Sequence, residues 1–190
     1  MYEIRIHGRG GQGAVLAGGI LASALVLEGK FVVAVPSFGF ERRGAPVASF
    51  LRLDDREIRQ MTNIYNPDCI LCIDPTVARA INIFDGVREN AVLVQTSAKP
   101  LEDLKLSERV ATVGLCDAVS IALEIFKRPI TNTIMLGAFA RTTGLVTLES
   151  LRTAIGESEF RDAGLEQNLA ALERGYNATQ VHRIERRAAA

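Results

Sequence analysis

The chain has 190 residues, 48% of them hydrophobic and 23% charged, with 22 basic and 22 acidic side chains and a formal net charge of zero. That length and apolar content give one domain with a core of its own and exclude a disordered chain. The charge balance offers no electrostatic case for nucleic acid or an anionic membrane surface, and no apolar run is long enough to span a bilayer.

Residues 2–7, Tyr-Glu-Ile-Arg-Ile-His, alternate apolar and polar side chains and predict a strand rather than a signal peptide, so a cytoplasmic location is expected. Gly-Arg-Gly-Gly-Gln-Gly at 8–13 then fits G-x-G-x-x-G through Gly8, Gly10 and Gly13, and a buried helix of small and aliphatic residues is expected from Ala14. In such a turn Gly8 takes the sharp bend, Gly10 lets a ligand approach the backbone, and Gly13 lets the helix pack on its strand. The open amides of the first helical turn favour an anion by roughly 0.3–1 kcal/mol, and up to about 2 where it is partly buried. Arg9 adds a positive charge suited to a phosphate or carboxylate. Two readings stay open at this turn: an anion site, or a crossover that only packs.

Phe31-Val-Val-Ala-Val35 predicts the second strand. A dinucleotide-binding fold would place an acidic residue at its end to hold ribose hydroxyls, but the strand runs into Pro36, Ser37 and Phe38. The loop 36–46 that follows carries Glu41, Arg42, Arg43 and Gly44 at the carboxyl edge of the sheet, where ligands bind in open α/β folds. Adjacent guanidinium groups fork onto phosphates or carboxylates, whether of a ligand or a partner; the alternative is a Glu41–Arg pair within the loop or across a subunit contact. Residues 47–53 predict a strand, antiparallel because its connection is short, and 56–66 is ambiguous with a short helix as one option.

Cys69 and Cys72 have metal-ligand spacing, but 69–74 reads as a buried strand that points residues three apart to opposite faces. With Cys116 as the third cysteine, they read as core residues, and the chain itself is expected to bind no iron–sulfur cluster or other metal. Asp74 ends that strand as a ligand carboxylate or a helix cap, and Pro75 can open a helix. Further strands are expected at 91–95 and, more weakly, 111–113, with helices at 117–127, 134–141, after Thr147, and at about 164–176. Thr131 or Asn132 is a natural N-cap, which gives Asn132 a structural role beside any functional one. His7 either donates to a bound phosphate or caps a strand, and the tail beyond 178 reads as a polar surface segment suited to docking on a partner. No lysine follows the glycines as in a nucleotide triphosphatase. The fold expected is α/β: a single domain over 1–178 with an open, mixed and mostly parallel sheet flanked by helices, a Rossmann-like glycine turn after strand 1, and a tail at 179–190.

Four stretches carry a family resemblance: His-Gly-Arg-Gly-Gly-Gln-Gly at 7–13, Phe-Gly-Phe-Glu-Arg-Arg-Gly-Ala-Pro-Val at 38–47, Pro-Asp-Cys-Ile-Leu-Cys-Ile-Asp at 67–74 and Thr-Asn-Thr-Ile-Met-Leu-Gly-Ala at 131–138. In this order they resemble the gamma subunits of 2-oxoacid:acceptor oxidoreductases, with 37–47 and 54–65 most similar to the phenylglyoxylate-oxidising branch; pyruvate-type members share the Glu-Arg-Arg-Gly-Ala-Pro-Val run. The resemblance implies a complex that oxidatively decarboxylates a 2-oxoacid on thiamine diphosphate, passes the acyl group to coenzyme A and sends electrons through iron–sulfur clusters. It implies alpha, beta and ferredoxin-like delta partners and, for the phenylglyoxylate branch, a flavin subunit carrying FAD with NAD as acceptor. Coenzyme A is what it leaves to this chain, with Gly8, Arg9, Gly10, Gly11, Gln12, Gly13, Glu41, Arg42, Arg43, Gly44 and Asn132 as the binding residues and no catalytic residue. Coenzyme A bears a ribose 3′-phosphate that an acidic clamp would repel, so the missing carboxylate suits it. Two other readings remain: a purely structural subunit, and a stand-alone NAD-dependent dehydrogenase.

Overall fold

A computed structural model of the chain describes residues 1–36, 44–158 and 164–184. The glycine turn joins strand β1 (Tyr2–Arg9) to helix α1 (Ala14–Leu27), followed by β2 (Phe31–Pro36), β3 (Pro46–Asp54) and β4 (Cys69–Cys72). Next come a one-turn helix α2 (Val77–Ala80), β5 (Ala91–Thr96), a 3-10 turn at Leu101–Asp103, and β6 (Val110–Cys116). Helices α3 (Ala118–Phe126), α4 (Asn132–Thr143), α5 (Leu148–Gly156) and α6 (Leu165–Ala178) lead to a last strand, β7 (Gln180–Arg183).

The seven strands form one sheet in the order β2-β3-β1-β4-β5-β6-β7. β1, β4, β5 and β6 are parallel, whereas β3 runs antiparallel to β1 and β2, and β7 antiparallel to β6. The mixed, mostly parallel α/β architecture and the reversed β3 are therefore as the sequence leads one to expect. A dinucleotide fold sets its second strand directly beside the first. Here β3 separates them, so the end of β2 lies two strands from the glycine turn.

Strand alternation sorts the core into two layers. Ile4, Ile6, Leu51, Leu53, Cys69 and Leu71 pack with the helices, while Ile70, Cys72, Leu93, Val113 and Leu115 pack under the loops on the other face. Cys69 and Cys72 thus point to opposite sides, as the strand reading requires. The central helix is α4, buried at every position from Asn132 to Ala140. It crosses α6 where Gly137 faces the backbone of Leu172 and Tyr176, and Gly175 faces the backbone of Ile134, so neither glycine leaves room for a side chain.

Several expectations are corrected. Helix α1 is buried on one face only: Ala17, Leu21 and Leu25 are covered, but Val15, Val26 and Leu27 are 44%, 55% and 51% exposed. Residues 56–66 form no helix. They are a loop held from below by buried Arg52, which donates to the carbonyls of Thr62 (2.6 Å) and Asn63 (3.2 Å) and pairs with Glu3 (2.8 Å). β6 is longer than the weak signal at 111–113, because its buried end is completed by pairing on both sides. Gln180–Arg183, read as tail, joins the sheet as β7. Thr131 occupies the N-cap position of α4, yet its hydroxyl donates to the carbonyl of Ile73 at 2.6 Å instead of capping. Thr147 does cap α5 through the Ser150 amide, and the Glu28 carboxylate at the end of α1 accepts from its amide at 2.7 Å. No helix among the described residues is long and apolar enough to cross a membrane.

Candidate functional site: two helix starts at a pinned glycine turn

β1 delivers the chain to the carboxyl edge of the sheet, and the glycine turn is fixed there by hydrogen bonds from both sides. Gly10 donates to Ala45 O at 2.9 Å and Gly44 donates to Gly10 O at 3.1 Å, extending the β1–β3 ladder past its last strand pair. The amide of Gly10 is therefore committed to structure, and Gly44 is its clamp. Gly8 does not bend either: it is the seventh residue of β1, packed against Ile73 and Ala14.

Arg9 is a strut. Its guanidinium donates to Thr76 Oγ1 (2.7 Å), Thr76 O (3.3 Å) and Gly44 O (2.8 Å), with Asp74 Oδ1 at 3.5 Å. Gln12 folds back over the same turn, accepting from the Arg9 amide at 3.0 Å and donating to Asp74 Oδ2 at 2.5 Å. Asp74 also accepts from the amide (2.7 Å) and hydroxyl (2.5 Å) of Thr76. Burial pushes the Asp74 carboxyl up, but the hydrogen bonds from Thr76 and Gln12 and the charge of Arg9 outweigh it and hold it below the usual range. Asp74 thus belongs to a latch that shapes the turn. Thr76, its other essential part, carries no signal in the sequence beyond following Asp-Pro.

The turn's ligand-facing chemistry lies further along. Gly13 caps α1 with φ +80, and the first intrahelical bond runs from Ala17 N–H to Gly13 O. Among the described residues the amides of Gly11, Gly13, Ala14, Val15 and Leu16 meet no acceptor, and no side chain caps the helix. A Cβ on Gly13 would stand 2.5 Å from Nδ2 of Asn132, so the amino ends of α1 and α4 touch here. Asn132 is 4% exposed, and its Oδ1 accepts from the Thr133 amide at 2.9 Å. Its Nδ2 makes no hydrogen bond among the described residues, which leaves a free donor beside the open amides. Two helix dipoles and these donors converge on one place, an arrangement that attracts an anion.

His7 is not part of it. It is 4% exposed on the sheet face away from α1, where its Nε2 accepts from Arg5 Nε at 3.1 Å and its Nδ1 has no partner. Burial, then the charge of Arg5, pushes its pKa down to about 3, so the imidazole is neutral. Glu41, Arg42 and Arg43 lie outside the described residues.

The family model for pyruvate ferredoxin/flavodoxin oxidoreductase matches residues 3–178. The chain belongs to this family. Among its pyruvate ferredoxin/flavodoxin oxidoreductase relatives, the gamma subunit of NADH-dependent phenylglyoxylate dehydrogenase from Aromatoleum evansii is 67% identical over 190 residues, covering 100% of both chains. The crystal structure of pyruvate oxidoreductase subunit PORC from Thermotoga maritima superposes with a TM-score of 0.80 at 36% identity, covering 95% of this chain and 97% of that one. A 2-oxoglutarate:ferredoxin oxidoreductase from Magnetococcus marinus shares the fold, with a TM-score of 0.70 at 19% identity over 93% of this chain and 30% of that chain. The resemblance to gamma subunits of 2-oxoacid oxidoreductases, and to their phenylglyoxylate branch, is borne out.

Proposed function

We propose that this chain holds the phosphates of coenzyme A in a cytoplasmic complex that converts phenylglyoxylate, coenzyme A and NAD to benzoyl-CoA, CO2 and NADH. The observation that carries the reading is the meeting of two helix starts, where the amides of Gly11 and 13–16 and the Asn132 Nδ2 are all without acceptors among the described residues. Such a donor set fits a pyrophosphate and repels no part of it. Arg9, Gln12, Asp74 and Thr76 hold the turn in the shape that presents those amides. Arg42 and Arg43 enter the reading from sequence, as the residues just before Gly44, whose amide is bonded to Gly10. When bound, coenzyme A supplies the thiol that accepts the acyl group. Iron–sulfur clusters are assigned to partner subunits because the three cysteines here are free and buried, with Cys69 and Cys72 on opposite faces of β4; thiamine diphosphate, FAD and NAD are assigned to alpha, beta, delta and flavin subunits as the family resemblance implies.

The phenylglyoxylate assignment is supported by the 67% identity to a subunit of that name, against 36% and 47% to two pyruvate-type subunits. The Magnetococcus marinus fold neighbour is described with coenzyme A and succinyl-CoA bound. In the assembled enzyme, Arg42→Ala/Arg43→Ala is expected to raise the KM for coenzyme A by about 10- to 100-fold for each charge-assisted hydrogen bond removed, with the 2-oxoacid KM unchanged. Unaltered coenzyme A kinetics in an intact complex would overturn the reading. Dissociation on gel filtration before any loss of coenzyme A affinity would favour a purely structural subunit. Comparing kcat/KM for phenylglyoxylate and pyruvate decides the substrate.

A further inference from the structure

A second concavity lies apart from the glycine turn, at the carboxyl ends of β4, β5 and β6. It is a cleft of about 1120 Å³ between the segments 78–84 and 97–107, with the first turn of α3 at one end. Its rim carries Arg79, Lys99 and Lys105. None of these three side chains has an ion-pair or hydrogen-bond partner among the described residues. Asp103 and Asp117 also line it, so three cations face two carboxylates, and the Asp117 carboxylate accepts from the amide (3.2 Å) and hydroxyl (2.7 Å) of Ser120. Ile81, Phe84, Leu104 and Leu106 supply an apolar wall.

The floor holds the telling group. Gln95, 8% exposed, sits on the sheet face shared by Cys72 and Leu115, the face on which the cleft opens. Its side-chain amide makes no hydrogen bond among the described residues. That amide opens onto the cleft, where a ligand with a matching donor and acceptor can take the place of water. Gln presents a donor and an acceptor side by side, which matches the adjacent amino group and ring nitrogen of an aminopurine edge.

We infer that this cleft is a nucleotide site: Gln95 reads the base against the apolar wall of Ile81, Phe84, Leu104 and Leu106, and Arg79, Lys99 and Lys105 take the phosphates. None of these residues belongs to the glycine turn. The ligand is a free nucleotide, because the phosphates of coenzyme A are assigned to the glycine turn.

The test is calorimetric titration of the purified complex with ADP, adenosine 3′,5′-bisphosphate and inorganic phosphate, using wild type, Lys99→Ala/Lys105→Ala and Gln95→Leu. Both lysines are exposed, so the double variant keeps its fold. One of the two nucleotides is expected to bind at least about 100-fold more tightly than inorganic phosphate, and the lysine variant to weaken it at least about tenfold. Loss of preference for nucleotide over phosphate in Gln95→Leu would support the role of the base-reading amide. Nucleotide binding no tighter than phosphate, or unaffected by the lysine changes, overturns the inference. Saturating coenzyme A is expected to leave nucleotide binding intact, and competition between the two overturns the inference.

Discussion

Replacing Gly13 with alanine tests the contact between the two helix starts. The residue sits at φ +80, where an L side chain costs roughly 1–2 kcal/mol. The new Cβ would also stand 2.5 Å from Asn132 Nδ2, and forcing such an overlap in a packed region costs about 1–3 kcal/mol. Gly13→Ala alone should therefore destabilise the chain by roughly 2–5 kcal/mol. In an Asn132→Ala background the steric share disappears, and the same change should cost only the backbone share, roughly 1–2 kcal/mol. Asn132→Ala by itself loses the bond to the Thr133 amide, worth about 1 kcal/mol. Urea unfolding of the four proteins gives the cycle directly, with an expected coupling of about 1–3 kcal/mol. Additivity within about 0.5 kcal/mol would refute the reasoning, since the two residues would then not share space.

Three further outcomes are expected. Arg52→Ala strips buried Glu3 of one of its two arginine partners and frees the carbonyls of Thr62 and Asn63, so stability should fall by about 3–5 kcal/mol and Tm by roughly 6–20 °C in a thermal scan. His7 is held neutral with a folded pKa of about 3, so between that value and the unfolded value near 6.5 the unfolded chain binds the extra proton. Stability should drop by about 1.4 kcal/mol per pH unit as pH falls through that window, and His7→Asn should remove this part of the slope in urea titrations at stepped pH. Burial pushes the Cys72 thiol up to about 12 and raises those of Cys69 and Cys116, so the native chain should react with Ellman's reagent only as fast as it unfolds. A rapid stoichiometric reaction under native conditions would contradict that.

Much of this architecture is legible in the chain because its signals are local. Ile4 and Ile6 alternate on β1, Cys69 and Cys72 fall on opposite faces of β4, and Thr147 announces α5. The helix signal at 14–27 misleads about burial, since a uniformly apolar stretch does not say which side meets a sheet. The way Gly8, Gly10 and Gln12 are held in the turn is hidden for a different reason. The amide and carbonyl of Gly10 are bonded to Ala45 and Gly44 and the side-chain amide of Gln12 to Asp74, partners 34 or more positions away that no local pattern reveals, and Gly8 lies inside β1. Gln95 and the cleft around it are equally invisible in the chain, since they arise from the juxtaposition of three strand ends.

The glycine crossing of α4 and α6 also bears on how the cradle proposed for an anion behaves. With every position from Asn132 to Ala140 sealed, this helix has no wet side along which its first turn can peel away. Amide exchange across 134–140 should then proceed only through whole-molecule opening, so the Asn132 wall of the cradle stays stiff on the timescale of turnover. Any closing over a bound anion must be done by what approaches that wall from outside.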